Sequence, residues 1–170
     1  LNIDGDLVVF RCASTAENEP EEIACHRVDE FIRRLLHETN CTECVVYFSG
    51  SSNFRYDVYP EYKANRQGKY RPKHEKACKE WVRATYKTET HDMLEADDLL
   101  AINQTDDTIL CSIDKDLDQV PGWHYRWEQT RLGVITSEAL LYKVEPFDGL
   151  RNFYRQLITG DTTDNIKGVV

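Results

Sequence analysis

Apolar positions along the chain recur with two different periods, and the places where the period switches outline the elements. Leu1 to Asp4 reads as a short strand broken by Gly5, after which Asp6-Leu7-Val8-Val9-Phe10-Arg11 begins a helix with Asp6 at or near its N-cap. From Glu21 to Thr39, Ala24, Val28, Phe31, Ile32, Leu35 and Leu36 recur at helical spacing, with Asn40 suited to the C-terminal stop. Cys44-Val45-Val46-Tyr47-Phe48 is a continuous apolar run of strand length, suited to a strand covered on both faces. The pattern dissolves from Ser49 to Arg71. Pro72 then opens a helix to about Thr85 with Ala77, Trp81 and Ala84 inward, and Tyr86 to Thr90 reads as a strand. Met93 to Ala101 is helix-prone and Thr108 to Ile113 is a second buried strand. Trp123 to Glu128 and Leu132 to Ile135 resemble a hairpin turning at Gln129 to Arg131, followed by a helix from Ser137 to Val144. Leu150, Phe153, Tyr154, Leu157 and Ile158 give Phe147 to Thr159 a helical period that Gly160 ends. Strands alternating with helices predict a three-layer α/β/α domain with a mostly parallel central sheet, and no linker divides residues 1–170.

Composition adds little to this and removes much. With 170 residues, 41% hydrophobic and 30% charged, the chain suits one soluble domain with a sizeable core, expected to be a monomer in a cytoplasm. No apolar run is long enough to span a bilayer, and nothing at the N-terminus resembles a signal peptide. The six cysteines fall mostly inside apolar patterns, as buried thiols do, and Cys41 and Cys44 form a lone CxxC without the second pair a zinc site would use. A net charge of −9 argues against a nucleic-acid partner until its distribution is read. Between Lys63 and Lys87 stand nine Lys or Arg against two acids, so the field is divided rather than uniformly negative. In the same region Tyr56, Tyr59, Tyr62 and Tyr70 interleave with Lys63, Arg66, Lys69 and Arg71. Rings that stack on bases beside cations that neutralise phosphates suit a nucleic-acid surface; a solvated basic loop fits the same residues.

The acids are more telling. Glu95, Asp97 and Asp98 sit together at the start of the Met93–Ala101 helix, where Glu95 and Asp98 would share one face and Asp97 would turn to a flank. A solvated acidic first turn explains them, and so does a site for a divalent ion. Asp4, Asp114 with Asp116, and Asp161 with Asp164 fall at strand ends or in a loop, and a parallel sheet would bring these groups to one edge. Eight carboxylates cannot share a small site as bare anions. Oxygen donors with no His or Cys among them select Mg2+ or Mn2+, and two such ions can activate water and stabilise the leaving oxygen of a phosphodiester.

Five segments together resemble a known family: Ile3-Asp4-Gly5, Tyr59-Pro60-Glu61-Tyr62-Lys63-Ala64-Asn65-Arg66, Glu95-Ala96-Asp97-Asp98, Asp114-Lys115-Asp116, and Gly160-Asp161-x-x-Asp164-Asn165-Ile166-x-Gly168-Val169. They are similar to the motifs of the 5'-nuclease superfamily, which includes flap endonucleases and the 5'-nuclease domains of DNA polymerases I. The Asp-Gly-Asp start and the Ser-x-Asn-Phe-Arg segment before Tyr-Lys-Ala-Asn-Arg are most similar to phage 5'-to-3' exonucleases, for which the compartment would be the host cytoplasm. The resemblance implies a metal-dependent hydrolysis of phosphodiesters near a free 5' end or branch of DNA, with RNA as a further substrate. It implies that Asp4, Glu95, Asp97 and Asp98 hold one ion and Asp114, Asp116, Asp161 and Asp164 a second. Lys63 and Arg66 would contact the scissile phosphate at the base of a helical arch, Tyr62 would stack on or position the terminal nucleotide, and Lys69, Arg71 and Lys73 would lie in the arch, whose helical form would depend on substrate.

Two departures qualify this. Where the family carries a further Asp after the second strand, this chain has Phe48-Ser49-Gly50-Ser51, and Asp6 is a candidate replacement. The helix-hairpin-helix region that follows Gly-Val in the family is not in these 170 residues.

Overall fold

A six-stranded sheet runs through the middle of the molecule in the order β3-β2-β1-β4-β5-β8. The computed structural model describes residues 1–66 and 68–169. β1 (Asn2–Asp4), β2 (Val45–Ser49), β3 (Lys87–His91), β4 (Ile109–Cys111) and β5 (Gly122–Arg126) are parallel, and β8 (Leu140–Val144) closes one edge antiparallel to β5. Helices α1 (Gly5–Thr15), α2 (Glu21–Glu38) and α4 (Glu75–Thr85) pack on one another on one face. The core there holds Ile3, Val9, Val28, Ile32, Leu35, Phe48, Val82 and Trp127. On the other face α5 (Ala96–Ile102) lies against β1, β2 and β3, burying Leu99 and Leu100 with Tyr47, Leu110 and Leu117. The three-layer α/β/α architecture expected from the periodicity is therefore the one observed.

The strand order reverses direction between β1 and β4. In open parallel sheets the connections leave this point to opposite sides, which opens a crevice at the carboxyl ends of the strands. Gly5, immediately beyond β1, lets α1 start within contact of β2: a Cβ there would lie 2.6 Å from the Phe48 ring and 2.8 Å from the Tyr47 carbonyl. The helix begins two residues earlier than expected, capped by Asp4 rather than Asp6.

Two further expectations are corrected. Ser137 to Val144 is not a helix; it contains β8, whose Tyr142 stacks on its register partner His124 with ring centroids 5.4 Å apart. Cross-strand packing of this kind outweighs a helical period over so short a stretch. The hairpin is displaced: Gln129–Arg131 is strand β6, paired with β7 (Val134–Ser137), and the turn falls at Leu132-Gly133, both at positive φ. The region of the expected arch, whose helical form the resemblance makes dependent on substrate, is not a continuous helix here. Between α3 (Arg55–Val58) and α4 the described residues hold a single 3-10 turn at Ala64–Arg66.

After β8, α6 (Pro146–Thr159) forms as predicted, with Pro in its first turn, and packs on a 3-10 turn at Lys115–Gln119. Its apolar residues, Phe147, Leu150, Phe153, Tyr154, Leu157 and Ile158, remain substantially exposed. β9 (Gly160–Asp161) and β10 (Ile166–Lys167) then frame the Asp161–Asp164 loop. No helix among the described residues is long and apolar enough to cross a membrane.

Candidate active site

Asp4 is the residue on which the crevice is built. It ends β1, caps α1 by accepting from the Leu7 N–H at 3.1 Å, and accepts from the Ser112 hydroxyl at 2.8 Å, across the strand pair where the order reverses. Its side chain is 2% exposed. Burial, with repulsion from Asp6 and Asp114, pushes this carboxyl up to about 7 even though the Leu7 N–H and Ser112 favour its charged form. Ser112 also accepts from the Asp114 N–H at 3.1 Å, and Asp114 accepts from the Asp116 N–H at 2.9 Å. Asp97, on the first turn of α5, is pushed well above the carboxylate range by burial and then by Asp4, Asp114 and Glu95. Asp116 is raised to about 6 by burial and by Asp114 and Asp161. Asp161 is the exception in this group. Although buried, it is held below the ordinary range by the Thr163 N–H, at 2.7 Å, and by Asp116.

The other side of the crevice is neutralised from within. Glu95 accepts from Lys63 Nζ at 2.6 Å and from the Tyr62 hydroxyl at 2.7 Å. Tyr62 Oη also lies 2.9 Å from Asp164, whose second oxygen is paired with Arg66. Lys63 sits at φ 54°, a left-handed conformation rare for a lysine, and its N–H donates to the Asp164 carbonyl at 3.0 Å. Asp98 accepts two hydrogen bonds from Arg55, at 2.6 and 2.7 Å, and a third from the Glu95 N–H at 3.0 Å. Burial notwithstanding, these hold Asp98 below the carboxylate range.

The structure thus gathers Asp4, Glu95, Asp97, Asp98, Asp114, Asp116, Asp161 and Asp164 at one end of the sheet, several of them around a cleft of about 440 Å³ that Leu117, Phe153 and Leu157 wall on its apolar side. Their roles differ from the expected pairing. Glu95 is the N-cap of α5 rather than a residue of its first turn, so it is Asp97 that faces Asp4 and Asp114, while Asp98 turns to Arg55. Tyr62 is only 4% exposed, with its hydroxyl engaged by two carboxylates, so its ring offers no open stacking platform. Arg71 pairs with Glu75, the Lys73 N–H donates to Glu17, and Lys69 is exposed; among the described residues none of the three contacts the acidic group. Asp6 is taken by Lys79, at 2.7 Å, and by the Ser49 N–H, at 2.9 Å, which occupies the candidate replacement. The Ser49 hydroxyl itself accepts from the Ala96 N–H at 3.1 Å and so secures the start of α5. Cys41 and Cys44 are free thiols.

Two contributors escaped sequence reasoning. Arg55 carried a signal, as the last residue of Ser-x-Asn-Phe-Arg, but nothing in that segment named its partner. Ser112 is one polar residue ending an apolar strand, which is an ordinary place for a serine.

A family model described as the 5'-3' exonuclease, N-terminal resolvase-like domain, matches residues 1–144. The chain belongs to this family. The exonuclease-family domain is also similar, with a TM-score of 0.73 and 25% identity, to a T5 5'-exonuclease with divalent zinc ions bound; the match covers 99% of this chain and 69% of that one. A bacteriophage T5 flap endonuclease in a pseudo-enzyme-product complex with DNA and metal ions matches with a TM-score of 0.65 and 23% identity, over 99% of this chain and 68% of that one. The domain spans about two thirds of the length of these structures.

Its donor set can be tested against a metal on the chemistry alone. Among the described residues no three carboxylates close into a finished cage. Yet among the described residues Asp4, Asp97, Asp114, Asp116 and Asp161 have no cation in ion-pair contact, and burial and mutual repulsion raise Asp4, Asp97 and Asp116. Buried anions without counter-charge, offering only oxygen, fit a hard divalent cation.

Proposed function

We propose that this exonuclease-family domain hydrolyses phosphodiester bonds near a free 5' end or branch of DNA, and of RNA as a further substrate, in dependence on Mg2+ or Mn2+. The observation that carries the reading is the set of uncompensated carboxylates around Asp4 and Asp97, adjoining cations already held at the cleft. Asp4, Glu95 and Asp97 would hold one ion, and Asp114, Asp116, Asp161 and Asp164 a second. Bound there, divalent ions would supply an activated water and charge stabilisation at the leaving oxygen.

The chain's own residues do the rest. Lys63 and Arg66 are paired with Glu95 and Asp164, and an arriving phosphate gives both cations a second anionic partner of higher charge density. Tyr62 holds Glu95 and Asp164 at a fixed separation through one hydroxyl. The apolar wall of Phe153 and Leu157 limits water on that side of the cleft.

A 5'-labelled flap incubated with Mg2+ tests the reading, with Asp114→Asn as the comparison. Release of short 5' products by the native chain and not by the variant is expected. Equal traces from both overturn it and leave the weaker alternative, a DNA-binding module without catalysis, for which the Ser49-Gly50-Ser51 segment in place of an acid is the supporting observation. A single-stranded RNA of the same sequence in parallel distinguishes a ribonuclease.

A further inference from the structure

Among the described residues Arg55 is the one cation at the cleft bound by a two-point fork to a carboxylate of the acidic helix. Its guanidinium meets both oxygens of Asp98, at 2.6 and 2.7 Å, with the two side chains 30% and 18% exposed. It is itself held in place. The Arg55 N–H donates to the buried Asn53 side chain at 2.9 Å, and the guanidinium lies over the Phe54 ring at 4.8 Å and the Tyr62 ring at 5.7 Å. A planar fork seated between aromatic rings is difficult for a metal ion to displace, because the carboxylate would have to give up two charge-assisted hydrogen bonds at once. One oxygen of Asp98 also accepts from the Glu95 N–H, at the residue whose side chain faces Lys63.

We infer that Arg55 is a positioning residue: it withdraws Asp98 from the ion-binding set and turns it into the clamp that fixes the backbone of Glu95. The inference rests on the nuclease reading above. It divides the acidic helix into two ligands, Glu95 and Asp97, and one internal counter-ion, Asp98, and it lowers the negative charge that the site presents to DNA by one unit.

Calorimetric titration of the full chain with MnCl2, without DNA, tests this. Native protein that binds no Mn2+ defeats the metal-dependent reading and this inference together; Mn2+ binding by the native chain leaves the inference to be judged by the variants. Asp97→Asn loses at least about tenfold in affinity. Asp98→Asn loses roughly fivefold, because the Arg55 charge is left unpaired near the ion. The double variant Arg55→Gln with Asp98→Asn binds more tightly than Asp98→Asn alone, since neither charge remains and Asn still accepts from the Glu95 N–H. Affinity in the double variant no better than in Asp98→Asn makes Asp98 a ligand and overturns the inference. Replacing Asn by Ala at 98 in the double variant weakens binding again by removing the acceptor, and equal binding overturns the clamp. If the double variant does not fold, Arg55→Lys replaces it: charge without the fork frees Asp98 toward the ion and raises Mn2+ affinity by about twofold or more, and unchanged or weaker binding overturns the account.

Discussion

The two sides of the carboxylate crevice solve the same electrostatic problem in opposite ways. Glu95, Asp98 and Asp164 are each matched by Lys63, Arg55 or Arg66. Among the described residues Asp4, Asp97 and Asp116 have no ion-pair partner, and burial with mutual repulsion raises their carboxyls. The contrast separates what the protein stabilises by itself from what it leaves for a ligand. On the paired side the cations hold the site in shape; on the unpaired side, stored repulsion would become binding free energy for the divalent ion proposed above.

The strongest way to break this contrast is to remove charge from the unpaired side. Asp97→Asn is expected to abolish Mg2+-dependent cleavage by about 100-fold or more while raising the melting temperature of the metal-free chain by a few degrees, because a repelling buried group is neutralised. A lowered melting temperature would show Asp97 to be stabilising, not stored strain. The paired side should respond with the other sign. Lys63→Met leaves Glu95 without its cation, so metal-free stability falls, Mn2+ binds more tightly, and cleavage drops about tenfold or more through loss of the phosphate contact. Calorimetry and a flap assay on the same preparation read all three.

Acidity sharpens the comparison without mutation. Asp4 holds its proton up to about pH 7 in the folded chain, far above the ordinary carboxylate range, and Asp97 is also raised well above that range. Between those limits the folded state binds more protons than the unfolded one, so these groups make metal-free stability fall as pH rises. Thermal melts from pH 5 to pH 8 should show this decline without metal and a smaller decline with excess Mg2+. Parallel curves would remove the unpaired carboxylates as the cause. The smallest effect belongs to Tyr62→Phe, which removes the hydroxyl spanning Glu95 and Asp164. It should cost about 1 kcal/mol in stability and a few-fold in cleavage.

The sheet was legible where both faces of a strand are buried, as in Val45–Phe48 and Ile109–Cys111, because continuous apolar runs bounded by polar residues have few alternatives. The β8 edge was not. Leu140 and Leu141 are both about half exposed, so the segment lacks the alternation that marks a half-buried strand, and its partner β5 lies on the far side of another hairpin. In the site, the residues sharing an edge followed from topology: Asp4 ends a strand, and Asp114 and Asp116 follow one. Which of Asp97 and Asp98 faces inward did not, since it depends on whether Glu95 caps the helix or begins it. One position of register turns the pair by about 100°. The same limit applies to Arg55, whose partner lies 43 residues away along the chain.

The Ser112–Asp4 hydrogen bond joins residues 108 positions apart and stands at the strand pair on which the crevice depends. Contacts of such separation close late, after the local helices and the β1–β2 pairing have formed. During synthesis Asp114 therefore stays apart from Asp4 and Asp97 until β4 has left the ribosome and docked beside β1. The carboxylate crevice is completed only in chains that have already reached the native arrangement of strands, so the raised carboxyl of Asp4 becomes a read-out of correct folding.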